Sequence, residues 1–446
     1  MTSGRLNFTS LNSRESLSAL FLVLAFAAGG WKVWTRPPAG DFAFAPAAPA
    51  AVPMPPVSAE KGSAGAVKFD AQFVSSVPGQ AVHAASIVEL RNGDLRAVWF
   101  SGSREGASDV TIQSAVMNAA SQRWSPESTL FNRQKIQAGL WRYVKKLGNP
   151  VIARAPDGSL SLWMVNVSLG GWAGSAITWS RSVDEGLSWS PPQRLVTSPF
   201  LNVSTLVKGG PAAMSNGQVS LPVYHEFATK FGEVLRLDAQ GRVLDKTRIP
   251  NSRTNLQPVL LVKAPTQAGV YMRAGEGGKL VMSSTTDAGK TWAPASATLL
   301  PNPDSAVAGL VAANGRPWLA LNPSPAGRGT LGVVLLQTDG TFAGVSPQLI
   351  EGSAGAKPGL TVSEFESRLH NELKAAGSSE VQAGAYVASA RRQLCNAESC
   401  AQEFSYPFLL QTKDGYMHLV YTWHRSRIKH LRFDPMQPVL TAAAPN

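Results

Sequence analysis

The sequence predicts an all-β chain: a six-bladed β-propeller with a helical insertion before the last blade and a transmembrane or signal helix at the N-terminus. Three observations predict it. Glycine turns recur through the body at blade-like spacing, one Asp-Gly-Trp motif occurs twice, and the interval before the last turn is much longer than the others.

The N-terminal residues 1–36 hold a short tail and an uncharged apolar run, Ser16 to Trp31, with Arg5 and Arg14 before it and Lys32 and Arg36 after it. The run is near the lower length limit for a spanning helix and also fits the core of a signal peptide. Ala25-Phe26-Ala27 offers a small-x-small cleavage site. Both readings export the rest of the chain. The body is expected in the periplasm, tethered to a bacterial-type inner membrane, or secreted if the segment is cleaved. Residues 37–66 form a linker whose Ala/Pro-rich part, 37–56, favours extended geometry and works as a stalk. The propeller is expected over 67–435, with the insertion at about 352–402, and 436–446 is a C-terminal tail.

The body begins near Phe69. Glycine turns followed by alternating apolar residues occur at Asn92-Gly93, Asp157-Gly158, Asn216-Gly217, Asn314-Gly315 and Asp414-Gly415, with a weaker copy at Ala268-Gly269. Asn-Gly and Asp-Gly supply the positive φ of tight hairpins. The first five turns are 65, 59, 52 and 46 residues apart, which suits blades of a few short strands each. The last gap is 100 residues and leaves room for an insertion. Within it, Thr361-Val-Ser-Glu364 reads as a capping box opening a helix to about Ala375. A second helix is expected from about Ser379 to Leu394. Cys395 and Cys400 follow, as a local disulfide or as two reduced thiols.

Ser182-Val-Asp184-Glu-Gly186-Leu-Ser188-Trp189 and Thr285-Thr-Asp287-Ala-Gly289-Lys-Thr291-Trp292 share one form. The carboxylate is expected to accept bonds from turn amides while the tryptophan packs into the blade. Degenerate copies are expected at Trp124 and at Gln337–Gly340.

Charged residues make up only 16%, and Gly and Pro number 40 and 31, which favours turns over long solvated helices. The net charge of +12 suits an anionic partner. The basic residues are scattered apart from the run 142–146, so no nucleic-acid footprint is expected. No metal-ligand pattern, nucleotide loop or redox motif is present, and no cofactor or metal is expected.

A propeller gathers loop residues from several blades at its axis. Polar segments therefore stand out where they flank apolar strands: Phe100 to Val110, Gly148-Asn149-Pro150, Leu256-Gln257-Pro258, Tyr271-Met-Arg273, Pro301 to Ser305, Asn322 to Arg328, Glu403 to Pro407 and Tyr421 to His430. Tyr224-His225-Glu226 ends another apolar strand.

With these phrases the chain from about His83 to His430 resembles the sialidase (neuraminidase)-like superfamily, in its Asp-box propeller branch. The two motifs around Asp184 and Asp287 resemble Asp-boxes, which the family keeps at the propeller's periphery, as structure. The resemblance implies an arginine cluster that grips a carboxylate, an acid/base aspartate, and a tyrosine nucleophile assisted by a glutamate. Guanidinium forks suit a carboxylate, and a neutral phenol meets little repulsion from an anionic sugar. Carried over, Asp109 resembles the acid/base and Tyr406 the nucleophile. Arg104, Arg273 and Arg328 resemble substrate-binding arginines, and Glu105, His83, Asn149 and Gln257 join the expected site. Two places depart from the pattern. The first arginine's place reads Val82-His83-Ala84, and the assisting glutamate's place holds Gln257; Glu403 or Glu226 would have to substitute in space.

Three functions fit the sequence. The first is an exo-glycosidase on an acidic-sugar glycoside. The second is a lyase on uronic-acid glycans, for which His83, His225 or His430 would stand beside a tyrosine and an arginine. The third is a membrane-tethered glycan-binding module without catalysis.

Overall fold

The computed structural model describes residues 13–34, 41–45, 69–74, 77–198, 202–275, 278–337, 342, 346–353 and 359–436. Six antiparallel sheets of four or five strands are arranged as blades, and in the first five the strands run in sequence order from the axis outward. The inner strands are Ala81–Glu89, Lys146–Arg154, the interrupted pair Leu206–Val207 and Ala212–Ala213, Leu256–Val262, Ala308–Val311 and Phe404–Gln411. This is the predicted six-bladed propeller. The sixth blade takes its outer strand from the start of the body: Asp70–Phe73 pairs antiparallel with Arg427–Phe433. Both ends of the body thus share one sheet.

The glycine turns explain the blades. Gly93, Gly158, Gly217, Gly315 and Gly415 all have φ between 79° and 89°, a region where a Cβ is costly. In the second blade Gly158 N donates to Ala155 O, and Ala155 N donates to Ser159 O. The glycine thus holds the left-handed position that closes the hairpin. The fourth blade departs from expectation. Its turn is Ala264–Gln267, where Gln267 N donates to Ala264 O, and Ala268-Gly269 already begins the next strand. All six turns lie at one end of the inner strands, here called the turn face.

The Asp-boxes link the third and fourth strands of the second and fourth blades, also on the turn face. Asp184 accepts from Ser188 N and from the Ser182 and Ser188 hydroxyls, at 2.9, 2.7 and 2.5 Å. Asp287 repeats this with Thr291 N and the Thr285 and Thr291 hydroxyls, at 2.9, 2.7 and 2.6 Å. These bonds hold the Asp184 carboxyl at about 2, below its ordinary value. Trp292 is buried in the fourth blade. Trp124 lies in the outer strand of the first blade, and most of the expected copy at 337–340 falls outside the described residues.

Four helices are described: α1 (Ser13–Trp34), α2 (Arg133–Leu140), α3 (Val362–Ala375) and α4 (Glu380–Leu394). α3 and α4 are the expected insertion. Each opens on a capping box, Thr361 with Glu364 and Ser379 with Gln382. Phe365, Leu369, Leu373, Tyr386 and Ala390 bury one face against the fifth and sixth blades. The pair also covers the seam to the first blade, where Ser389 Oγ donates to Gln80 O at 2.8 Å. Cys395 and Cys400 form a disulfide in the turn after α4.

The expected transmembrane helix needs correction. α1 forms, but no helix among the described residues is long and apolar enough to cross a membrane. The uncharged run Ser16 to Trp31 ends at Arg14-Glu15 on one side and Lys32 on the other, short of the roughly 20 apolar residues a span requires.

Candidate functional site

The site is built by one backbone device used four times. The inner strands of the first, second, fourth and sixth blades slip register between His83 and Ser86, Gly148 and Val151, Leu256 and Val259, and Ser405 and Phe408. In each bulge one residue takes positive φ: Ala84 (56°), Asn149 (33°), Gln257 (53°) and Tyr406 (53°). Pro150, Pro258 and Pro407 follow three of them. A bulge suits proline because the ladder there is already interrupted. Non-glycine residues with positive φ carry strain, which persists where the surroundings hold it and is common at functional sites. The phrases Asn-Pro, Gln-Pro and Tyr-Pro are therefore one repeated feature. All four bulges lie at the end of the axis opposite the turn face.

There the side chains converge. Gln257 Nε2 donates to Tyr406 Oη at 2.9 Å and to Tyr224 Oη at 3.4 Å. Asn149 Nδ2 donates to Tyr224 Oη at 3.1 Å. Arg273 Nη1 donates to Gln257 Oε1 at 3.3 Å, and Arg273 Nε donates to Asp304 Oδ1 at 2.6 Å. The arginine thus fixes the amide's orientation, with oxygen toward Arg273 and nitrogen toward both phenols. The His83 ring centroid is 4.2 Å from that of Tyr406. So Tyr406, Gln257, Asn149, Arg273 and His83 come together at one end of the axis.

A second cluster adjoins the first. Glu403 is buried, accepts from Ser405 Oγ at 2.6 Å and from Arg425 Nε at 2.9 Å, and lies 3.6 Å from Arg328 Nη1. Arg425 also donates to Glu105 Oε2 at 2.9 Å. Arg328 Nη2 donates to Asp304 O at 3.1 Å, which ties the clusters together. Arg328 therefore joins the site through the Glu403 carboxylate, and Glu105 through the Arg425 guanidinium.

Two expected residues sit apart from these networks. Asp109 accepts from Ser103 N at 3.0 Å and Ser103 Oγ at 3.1 Å, closing the base of its own loop. Arg104, on the same loop, is exposed and has no ion-pair partner among the described residues. His225 stacks on Phe231, and His430 stacks on His418 inside the sixth blade, so neither serves the axis.

Arg425, Tyr224, Asp304 and Lys208 carry more of the site than their sequence contexts suggested. Lys208 is buried on the axis, and its Nζ donates to Val307 O at 3.2 Å and to Pro407 O. It pins the bulge after Tyr406 from below. Under it an apolar cavity of about 430 Å³ opens toward the turn face. The clustered phenols, amides and guanidinium groups gather at the other end.

Burial pushes the Lys208 ammonium down to about 7. His83 lies well below its ordinary range because of burial and the charges of Arg425, Arg328, Arg273 and Lys208, so its imidazole is neutral. Burial opposes the charge of Glu403, but Arg425 and Arg328 outweigh it and hold the carboxylate ionised. Burial likewise opposes the charge on Arg273, and the Tyr406 oxygen and Asp304 reverse that effect. Glu226 is pushed up by burial; Lys230 and Arg273 only partly offset this. Tyr224 is pushed well up by burial and stays a phenol. The arrangement can grip an anionic group between guanidinium forks and present a phenol oxygen, already accepting one N–H, to a bound ligand.

A family profile described as the BNR repeat-like domain matches residues 93–419. No curated protein matches the sequence. A solved protein of unknown function from Dyadobacter fermentans is similar at 12% identity, covering 82% of this chain and 97% of that one, with a TM-score of 0.58. The intramolecular trans-sialidase from Ruminococcus gnavus is similar at 11% identity over 83% and 97% of the two chains, with a TM-score of 0.54. The α-L-arabinanase of Penicillium chrysogenum is similar at 13% identity over 82% and 97%, with a TM-score of 0.51. At these identities the likeness is one of fold.

Proposed function

Because the chain belongs to the BNR repeat-like domain family, we propose that it is a glycan-active enzyme which removes an acidic sugar from the end of a glycan at the bulge face of its axis. The observation that carries this reading is the convergence of Tyr406, Gln257 and Arg273 from two blades, beside the Arg328–Glu403–Arg425 cluster. The carboxylate of the sugar is held by Arg273, Arg328 and Arg425, with Arg425 supplying the guanidinium missing at His83. Each guanidinium has five N–H donors, so one carboxylate partner does not exhaust it.

Tyr406 attacks the anomeric carbon. The C–O bond to the leaving group breaks, and a carboxylic acid gives that oxygen its proton. Asp109 is the acid carried over from the resemblance, and Glu226, whose affinity for a proton is raised by burial, is a second carboxyl available. Water then cleaves the tyrosyl intermediate. Gln257 cannot take the phenolic proton as a glutamate would, so that proton passes to solvent water as the oxygen attacks. Gln257 donates to the phenol oxygen and so stabilises the developing phenolate. Fluorogenic glycosides of acidic and neutral sugars test the reading. Release is expected from an acidic-sugar substrate and should fall at least about 100-fold in Tyr406→Phe, and in whichever of Asp109→Asn and Glu226→Gln removes the acid. Release from neutral sugars alone, or unchanged rates in Tyr406→Phe, would overturn it.

One contact favours a lyase as the second reading: neutral His83 packs on Tyr406 within a ring of arginines. Elimination would leave an unsaturated sugar that absorbs in the ultraviolet, which hydrolysis does not.

A further inference from the structure

Within the Ala/Pro-rich stretch, Asp41-Phe42-Ala43-Phe44-Ala45 lies against the flank of the third and fourth blades. Phe44 is 1% exposed and packs among Met214, Val234, Ala288 and Trp292. Its N–H donates to Pro265 O at 2.7 Å. Ala45 N donates to Ala213 O, and Ser215 N donates to Ala43 O, both at 2.9 Å, so the segment adds to the edge of the third blade as a short antiparallel piece. The Phe42 ring meets the Arg236 guanidinium at 4.3 Å and the Lys290 ammonium at 5.1 Å, and Asp41 lies 3.7 Å from Lys290. Buried apolar area, three backbone bonds and two cation–π contacts hold five residues.

The groove has a definite place. Ala213 and Met214 lead into the Asn216-Gly217 turn, Pro265 belongs to the fourth blade's turn, and Ala288-Gly289 belongs to the second Asp-box. All of these lie on the turn face, opposite Tyr406. Helix α1 ends at Trp34, seven Cα steps before Asp41, a reach of at most about 25 Å. Along α1, Leu17, Phe21, Leu24 and Phe26 are exposed.

We infer that Asp41–Ala45 is a docking strap that ties α1 to the turn face, so that the Tyr406 site opens away from whatever α1 engages. The strap's partner is the groove between the third and fourth blades of its own chain. Phe44 is the anchor, and Phe42 closes over the groove beside Arg236 and Lys290. The inference stands whether or not the site is catalytic.

Hydrogen exchange and spin-label distances on the full chain test it. The amides of Phe44, Ala45 and Ser215 should be protected, and Phe44→Asp should remove that protection. Nitroxides at Ser18 in α1 and Thr266 on the turn face should give a defined distance, shorter than that between Ser18 and Leu169 on the bulge face. Phe44→Asp should broaden both distributions and bring their means together. If Phe44→Asp unfolds the fourth blade, Phe42→Ala keeps the buried anchor and should broaden the distances to a smaller degree. Unprotected amides in the wild type, or distances unaffected in the variant that folds, would overturn the inference.

Discussion

Gln257 is the residue on which the proposed chemistry turns. Its amide nitrogen feeds two phenols and its oxygen is held by Arg273. If Tyr406 is the nucleophile, Gln257→Glu places a base beside it and should raise kcat about 10-fold or more, since a positioned base contributes roughly 100-fold or better. A fall in kcat would show that the donor, and not a base, is what the site needs. Lys208 gives the pH dependence. Its folded value is about 7, against 10.5 for an ordinary lysine. Below pH 7 both folded and unfolded chains hold the proton, and the cost of the buried charge is present in full. Between pH 7 and 10.5 the unfolded chain binds a proton that the folded one has released, so stability from this group rises with pH. Urea midpoints across that window should climb more steeply in the wild type than in Lys208→Met. Equal slopes would contradict the assignment. Tyr406, Gln257 and Asn149 were legible in the sequence because each stands before a proline beside an apolar strand. Arg425 lies among other basic residues in the segment Tyr421 to His430, and Lys208 precedes Gly209-Gly210 with no motif around it. Nothing local marks a side chain that finds its partners three blades away.

At the scale of elements, the bulges and the Asp-boxes divide the labour between the two faces. The Asp-boxes bind their own turns and send Trp292 into the core, far from Tyr406. Trp292→Ala should therefore cost about 3 kcal/mol of stability, as large-to-small core changes do. Ligand binding at the bulge face should stay unchanged at temperatures where the variant is folded. Calorimetry with a binding titration checks both, and lost affinity without lost stability would count against this division. The helical insertion was legible through its capping boxes, which are local signals. Its docking was not, because it depends on long-range contacts such as Ser389 with Gln80 and Arg427 over the Tyr386 ring at 4.4 Å. The Phe-Ala-Phe-Ala alternation at 42–45 carried a strand signal that the surrounding prolines masked.

The whole molecule is a ring closed by pairing Asp70–Phe73 with the last strand, and its periodic turns made the six blades readable. Periodicity states how many blades there are and leaves open which face carries chemistry. That follows from the bulges, visible only once strand register is known. The site and the strap then occupy opposite ends of one axis, with Lys208 between the site and the apolar cavity. The claim that this ring works as an enzyme on acidic sugars is tested most directly by trapping its covalent intermediate. A fluorinated acidic-sugar probe, which forms the tyrosyl adduct faster than water removes it, should add one sugar mass to the peptide carrying Tyr406 and none to the same peptide of Tyr406→Phe. An adduct on another residue, or an unmodified chain that still turns over acidic glycosides, would contradict the account.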